Sequence, residues 1–258
     1  MTDEPDPISC HGVRFPPDPA ILTPRIAGRL RKGFYETDEI GILGALLWPG
    51  ARVLELGGGL GLVSSYALLH GGAAHVTCVE ANPVLCDYIR RVHAENGLSA
   101  AQVVTGAALP AGLPRPENGL LPFHVTDPFW SSSLGAPRVA TRARINVPAL
   151  DLETLVADSR AQVLICDIEG GEATLFGDSP LTGITHVMTE LHTRAYGGEG
   201  IRATFDAMHR LGFYYHQKLS RGDVVTFERL SSARGSGKGG GAGGGAQSGS
   251  ISPASRVA

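Results

Sequence analysis

Residues Ala51 to Leu69 read ARVLELGGGLGLVSSYALL and predict a strand, a glycine turn and a helix. Arg52 to Leu56 is a short, mostly apolar run of the length of a buried strand. Glycines follow at positions 57, 58, 59 and 61, and glycine permits the positive φ angles and the close backbone approach that a ligand-binding turn needs. Apolar residues continue from Leu60 and predict a helix whose first N–H groups stay free for a ligand.

The spacing of these glycines distinguishes two nucleotide-type ligands. A dinucleotide fold has G-x-G-x-x-G after the strand, but its third glycine would here fall on Leu62 or Ser64. The pattern present is E-x-G-x-G-x-G, formed by Glu55, Gly57, Gly59 and Gly61. An acid at the strand end suits a ligand with a cationic head, such as S-adenosylmethionine. The pattern resembles motif I of the class I methyltransferases, so we predict these four residues as cofactor-binding.

A second predicted strand, His75 to Val79, ends at Glu80. Glu80 lies near the spacing at which an acid after the second strand binds ribose hydroxyls, and one carboxylate can accept from both hydroxyls of a diol. We predict Glu80 and its neighbour Ala81 as cofactor-binding residues. The alternative is that Glu80 is a solvated acid at a strand end.

Composition narrows the class of protein. The chain has 258 residues, 43% of them hydrophobic, which is enough for one domain with a full core. A net charge of −3 without a basic run argues against a nucleic-acid partner. The sequence predicts no membrane span and no signal peptide. Four cysteines without C-x-x-C spacing favour reduced thiols in a cytoplasmic protein rather than a zinc site.

The remaining composition divides the chain into three parts. Residues 1–30 contain six prolines and predict an irregular N-terminal arm. Residues 31–230 form the predicted domain, and the Gly/Ser-rich residues 231–258 predict a disordered tail.

Within the domain, Thr37 is predicted to cap a helix. Glu36 before it either faces a ligand pocket or belongs only to the capping turn.

A third predicted strand, Ala101 to Thr105, is followed by Gly106, Ala107 and Ala108. This predicted loop lacks the acid that often binds the adenine amine in class I methyltransferases. Residues 110–146 are rich in Pro, Gly, Ser and Thr. His124 to Leu134 is interpreted either as one strand of a hairpin or as an excursion over the site, and Ala143 to Leu150 as the other strand. Within the first segment, Trp130 and Ser131 to Ser133 are candidates to line a substrate pocket, or Trp130 anchors the loop.

Acidic residues follow a fourth predicted strand, Val163 to Cys166. The string Asp167-Ile168-Glu169-Gly170-Gly171-Glu172 stands where open α/β sheets bind ligands. In an extended path Asp167 and Glu169 point the same way. Buried acids without a role would be costly, so the string predicts a functional site.

The D-I-E-G-G-E string resembles the D-[VI]-E-G-x-E signature of FkbM-type S-adenosylmethionine-dependent methyltransferases. GFYETDEIGIL before motif I, VPALDLETLV before the fourth strand and VMTELH after it resemble other segments of that family. The match covers roughly Lys32 to Phe227. One departure is Ile165, where many members carry lysine.

The resemblance implies an α/β, Rossmann-like class I methyltransferase fold: a seven-stranded, mostly parallel sheet with helices on both faces. It also implies methylation of a hydroxyl on a small molecule, such as a sugar or a polyketide-like compound. We predict Asp167, Glu169 and His192 as catalytic residues. His192 has the most suitable unperturbed pKa for a general base.

Several alternatives stay open at this point. No metal site is predicted, although Asp167, Glu169, Glu190 and His192 would suit a hard divalent metal if their strand ends converge. Methyl transfer to nitrogen is an alternative to oxygen. Ile165 and the loop without an acid leave open a binding module that lacks catalysis. A nicotinamide-dependent dehydrogenase is disfavoured by the glycine frame and by Glu55.

Overall fold

The computed structural model describes residues 6–110, 113–126, 141–177 and 179–230. Its strands are β1 (Ile8–Cys10), β2 (Val13–Phe15), β3 (Arg52–Leu56), β4 (His75–Glu80), β5 (Ala101–Thr105), β6 (Ala107–Leu109), β7 (Leu120–Thr126), β8 (Thr141–Asp151), β9 (Val163–Cys166), β10 (His186–Glu190), β11 (Phe213–Tyr215) and β12 (Val224–Arg229). Its helices are α1 (Pro24–Arg31), α2 (Thr37–Leu46), α3 (Leu62–Leu69), α4 (Pro83–Glu95), α5 (Leu152–Ser159), α6 (Glu172–Leu175) and α7 (Thr193–Arg210).

Seven strands form the central sheet in the order β11-β12-β10-β9-β3-β4-β5. Only β12 runs against the other strands, since it pairs antiparallel with both β10 and β11. The sheet is therefore seven-stranded and mostly parallel, which confirms the predicted Rossmann-like fold class. Short apolar runs such as Val163–Cys166 form its centre because they are covered by helices on both faces.

Two hydrophobic clusters cover the two faces of this sheet. One cluster contains residues of α1 to α4 and fully buried side chains such as Leu43 and Tyr88. The other contains residues of α5 to α7, including Leu152 and Met208. The direction in which successive strands are added reverses between β3 and β9. Open α/β sheets bind ligands in the crevice at the carboxyl ends of such a pair.

The N-terminal arm is more regular than the sequence predicts. Strands β1 and β2 pair as a hairpin, and α1 follows them. Val13, Phe15 and Leu30 are fully buried in the core cluster that covers α1 to α4. The prediction of an irregular arm was wrong because its prolines mostly lie in connections, and Pro24 occupies the first turn of α1, where the missing N–H costs nothing.

A small three-stranded sheet, ordered β6-β8-β7, lies beside the main one. The predicted hairpin is present, as β7 and β8 pair antiparallel, although β7 begins at Leu120. Ala107 and Ala108, predicted as loop, instead form β6, which pairs in parallel with the end of β8. Trp130, Ser131 to Ser133 and the tail 231–258 lie outside the described residues.

Thr37 is the first residue of α2 rather than its cap. Its hydroxyl donates to the Gly33 carbonyl, and Glu36 takes the cap position in the left-handed region with φ 47°.

In the described ranges, no helix is both long enough and apolar enough to cross a membrane.

Candidate functional site

The glycine turn at the end of β3 depends on positive φ angles. Gly57, Gly59 and Gly61 have φ values of 89°, 52° and 80°, which cost glycine little and other residues more. A Cβ on Gly57 would overlap the carbonyl oxygen of Asp167 at the end of β9. The Gly57 N–H donates to Val79 O of β4 at 2.9 Å. The turn therefore packs against the carboxyl ends of both neighbouring strands.

Glu80 lies beside this turn and is held by backbone donors. Its Oε2 accepts from the Gly59 N–H at 3.1 Å, and its Oε1 accepts from the Asn82 N–H at 2.7 Å. Burial raises the pKa of Glu80, while these N–H groups lower it in part. Ala81 follows directly and is partly buried. The structure thus places the predicted ribose acid next to the glycine turn.

Glu55 lies below the turn and is only 2% exposed. Its carboxyl is hydrogen-bonded to Cys78 and Ser64, but Oε2 has no hydrogen-bond partner. Burial raises the pKa of Glu55 to about 7. Ile165 is its register partner on β9 and lies on the same face of the sheet. Since isoleucine stands where the resembled family often has lysine, that neighbour supplies no positive charge to Glu55.

Tyr35 and Glu36 lie over the opposite side of the turn. A Cβ on Gly59 would come within 3.3 Å of the Tyr35 hydroxyl and 3.5 Å of Glu36 Oε1. Burial raises the pKa of Glu36 well above its usual value, and the nearby charges of Glu39, Glu55 and Asp167 raise it further. Glu36 therefore belongs to the capping turn of α2 and also lies next to the glycine turn. The sequence contained no pattern that would have identified Tyr35.

His192 lies among the acids that follow β9 and β10. Its Nε2 is 3.4 Å from Glu169 Oε2, 3.5 Å from Asp167 Oδ1 and 4.0 Å from Glu190 Oε1. Burial lowers the pKa of His192, but the carboxylates of Glu172, Asp167 and Glu169 outweigh burial and raise it to about 10. The structure therefore brings the three predicted catalytic residues, Asp167, Glu169 and His192, into one group.

Glu172 organises this group from beneath and was not among the predicted site residues. Its side chain is fully buried, and its two oxygens accept from the Ile168 and Gly170 N–H groups at 2.9 and 3.0 Å. Its Oε1 lies 3.2 Å from His192 Nδ1. Glu169 adopts φ 57° in the loop so formed. The third acid of the D-I-E-G-G-E string was the signal that sequence reasoning had available for this role.

Asp167 and Glu190 face each other across the ends of β9 and β10. Their carboxyl groups are close enough for each to influence the pKa of the other. Burial first and then the charge of Glu190 raise the pKa of Asp167 well above its usual value. Two acids this close retain a proton unless a cation replaces it. The ends of β9 and β10 are therefore rich in carboxyl groups whose negative charge is incomplete in the absence of a cation.

Comparisons with known proteins give similarity in fold only. No protein-family model matches the chain, and no curated protein matches it. Among solved structures, precorrin-6y C5,15-methyltransferase from Geobacter metallireducens GS-15 aligns over 75% of this chain and 88% of its own, with 11% identity and a TM-score of 0.44. M. jannaschii TYW2, solved in complex with AdoMet, aligns over 85% and 84%, with 10% identity and a TM-score of 0.43. A protein of the NADB-Rossmann superfamily from Streptococcus agalactiae aligns over 74% and 67%, with 12% identity and a TM-score of 0.45.

Proposed function

We propose that this protein is an S-adenosylmethionine-dependent methyltransferase that methylates a hydroxyl group on a small molecule. One observation carries the proposal. Three positive-φ glycines end the central strand β3, and the carboxylate of Glu80 is anchored beside them. This arrangement places a glycine backbone and a diol-binding acid together at one strand end, as a nucleoside ligand requires.

The residues around the turn fit the cationic groups of this cofactor. Glu36 and Glu55 bring carboxyl groups close to the turn, and each has a buried oxygen without a hydrogen-bond partner. Buried carboxyl groups are stabilised as anions by a nearby positive charge. The ammonium and sulfonium groups of S-adenosylmethionine would supply such charges. A nicotinamide dinucleotide would place a pyrophosphate at the turn, which offers these carboxyl groups no positive charge.

In methyl transfer, the main tasks of this chain are to position the acceptor and to remove its proton. When bound, S-adenosylmethionine supplies a methyl carbon that the acceptor oxygen attacks while the carbon–sulfur bond breaks and its electron pair stays on sulfur. Alignment of two reactants can contribute about 7–11 kcal/mol. The acids after β9 would orient the acceptor hydroxyl and accept its proton, which adds about 10²–10⁴-fold in rate.

The proton acceptor is, in this proposal, a carboxylate of the group rather than His192 alone. The pKa of His192 is raised to about 10 by its carboxylate neighbours, so its imidazole is already protonated at neutral pH. Asp167 has a raised pKa and lies at the strand end nearest the glycine turn. A carboxylate whose pKa is raised is a stronger base than an ordinary one.

The finer assignment to the FkbM type rests on the sequence resemblance. The D-I-E-G-G-E string folds into a loop that Glu172 closes through two backbone hydrogen bonds. A dedicated loop of this kind supports the view that the string is a functional signature. The small-molecule hydroxyl acceptor is carried over from the same resemblance, and transfer to a nitrogen remains the competing reaction.

The test is a calorimetric titration with S-adenosylhomocysteine. We expect micromolar binding by the unaltered protein and at least tenfold weaker binding, about 1.4 kcal/mol, by Glu80→Ala. Glu228→Gln serves as a control because Glu228 lies on β12, outside the proposed site. Absence of binding by a folded, unaltered protein would overturn the proposal. A titration with a nicotinamide dinucleotide on the same sample would then test the dehydrogenase alternative.

A further inference from the structure

We propose that Asp167, Glu190 and His192 bind one divalent cation at the carboxyl ends of β9 and β10. The three side chains come from two neighbouring parallel strands. Each offers one donor atom, and these atoms lie within 4.8 Å of one another. Such a site departs from the expectation, drawn from the sequence, of a protein without a metal centre.

The separations of the donor atoms suit a single ion. Asp167 Oδ1 and Glu190 Oε1 lie 3.5 and 4.0 Å from His192 Nε2. Two donors bound at about 2.1 Å to one octahedral ion lie about 3.0 Å apart when adjacent and about 4.2 Å apart when opposite. Both measured separations fall within that range. The third separation, between Asp167 and Glu190, is within 4.8 Å, so small side-chain rotations would bring the three donors onto one ion.

His192 makes this group different from a simple cluster of acids. When a cation takes the place of the Nε2 proton, the imidazole contributes a nitrogen donor, and Glu172 Oε1 lies 3.2 Å from its other nitrogen, Nδ1. Metal-binding histidines usually donate their second ring N–H to a carboxylate, which fixes the ring and leaves the first nitrogen free for the metal. Glu172 is fully buried and held by two backbone N–H groups. Its carboxylate is therefore fixed beside Nδ1, which has no hydrogen-bond partner in the structure, and a small rotation of the ring would align the Nδ1–H with it.

An unpartnered oxygen points into the same space. Asp167 Oδ1 is buried and has no hydrogen-bond partner, although buried carboxyl oxygens are normally paired. Within the described residues, the ion pairs to Asp167, Glu190 and Glu172 come from His192, and none comes from lysine or arginine. Glu36 and Glu39 add further carboxyl groups nearby, and burial raises the pKa of both. A cation at Asp167 Oδ1 would satisfy the oxygen and offset the negative charge of the ionised carboxyl groups.

The donor set selects the class of cation. Carboxylate oxygens suit Mg²⁺ and Mn²⁺, whereas an imidazole nitrogen suits Fe²⁺, Zn²⁺ and other first-row ions. Two carboxylates with one imidazole are compatible with a first-row divalent ion, and Mn²⁺ accepts both kinds of donor. Mn²⁺ is also paramagnetic, so free and bound ion are distinguished directly. We therefore choose Mn²⁺ as the probe.

The role of the cation, unlike its binding, rests on the proposed function. Next to a methyl donor on the glycine turn, it would bind the acceptor oxygen and lower the pKa of its hydroxyl. Gly57 packs directly against the Asp167 carbonyl, so the two half-sites adjoin. The acceptor class this favours is a compound with two neighbouring oxygen atoms, since both can coordinate one ion.

The experiment measures binding of Mn²⁺ to chelator-treated full-length protein by electron paramagnetic resonance of the free ion. We expect one Mn²⁺ per chain. Asp167→Asn, Glu190→Gln and His192→Gln should each weaken binding at least about tenfold, and Glu172→Gln should weaken it by about tenfold through the ring. Glu228→Gln is the matched control, because Glu228 Oε2 faces His216 Nε2 at 3.6 Å without a metal-binding set. It should retain the affinity of the unaltered protein.

The outcomes separate the cation site from the proposed function. Saturable binding that the three ligand variants lose and Glu228→Gln keeps would support the site. No saturable binding by folded protein, or equal binding by the three ligand variants, would overturn it. S-adenosylhomocysteine is titrated into the same samples. If the protein binds S-adenosylhomocysteine but not Mn²⁺, only the cation site is refuted. If it binds Mn²⁺ but not S-adenosylhomocysteine, only the proposed function is refuted.

Discussion

The two halves of the strand-end crevice treat their acids in different ways. On the side of β3 and β4, the Glu80 carboxylate is held by the N–H groups of Gly59 and Asn82. On the side of β9 and β10, Asp167 and Glu190 face one another and His192. In the first half, backbone N–H groups donate the hydrogen bonds that the acid accepts. The second half leaves carboxyl oxygens directed at other carboxyl groups.

The comparison shows that the groups in contact with a buried acid indicate the role of that acid. Glu172 belongs to the second half but resembles Glu80, because both accept from two backbone N–H groups. Acids of this kind fix the shape of a loop. Asp167 and Glu190 do not anchor a loop in this way, and burial together with neighbouring carboxyl groups raises the pKa of each. Acids of the second kind are arranged for a ligand that brings positive charge.

The largest expected effect lies where the two halves touch. Gly57→Ala places a Cβ against the Asp167 carbonyl at a φ of 89°, and we expect a loss of about 3–4 kcal/mol in the free energy of unfolding. Gly50→Ala is the control, since Gly50 has φ 90° with open space around it and should cost about 1–2 kcal/mol. Urea unfolding measures both. Equal losses would mean that the halves do not pack as described.

Removal of a backbone-anchored acid should be the next largest effect. Glu172→Ala leaves the buried N–H groups of Ile168 and Gly170 without acceptors, so we expect a loss of about 3 kcal/mol. Glu172→Gln keeps one acceptor oxygen and should lose less. Thermal and urea unfolding give the comparison. Identical stabilities for the two variants would show that the hydrogen bonds do not hold the loop.

A pH-dependent effect of intermediate size is expected beneath the glycine turn, where Ser64 contacts both His93 and Glu55. Burial lowers the pKa of His93 to about 4, so its contribution to stability is present above about pH 6.5 and is lost as the pH falls toward 4. Burial raises the pKa of Glu55 to about 7, so its contribution is present below about pH 4.5 and is lost as the pH rises through 7. The two contributions oppose each other between pH 7 and pH 5.

Glu55→Gln should therefore expose the histidine effect. Between pH 7 and pH 5 the variant should lose about 2 kcal/mol more stability than the unaltered protein, from about 1.5 pH units at 1.36 kcal/mol each. His93→Gln should change in the opposite direction over the same interval. Urea unfolding at a series of pH values measures these slopes. Parallel slopes for all three proteins would contradict the assignment of both groups.

The smallest expected effect has the opposite sign. Burial, then the charges of Asp223 and Glu172, raise the pKa of Glu190, although His192 opposes them. In the absence of divalent cations at pH 8, Glu190→Gln should stabilise the fold by about 1 kcal/mol. Glu228→Gln should change stability by less than about 0.5 kcal/mol. A clear destabilisation by Glu190→Gln would place Glu190 among the anchored acids.

Local sequence patterns predicted the sheet, the glycine turn, Glu80 and the acids after β9. Each of these features is encoded within a few consecutive residues, where strand length and glycine spacing limit the conformation. The contacts that the sequence did not predict join distant segments. Tyr35 reaches Gly59, and Glu55 lies beside Ile165 more than one hundred positions later. The pairing of Ala107 with Ala149 was also not predicted, because the hydrogen bonds that make Ala107 part of a strand come from a distant segment.

The position of β12 has a consequence for how the chain is made. β12 lies between β10 and β11, and the guanidinium of Arg229 at its end donates to the carbonyls of Ile184, Leu211 and Leu181. During synthesis the outer edge of β10 therefore has no native partner until residue 229 has left the ribosome. An exposed strand edge is a site for wrong pairing. Translation speed over the last part of the domain should thus influence the yield of correctly folded protein.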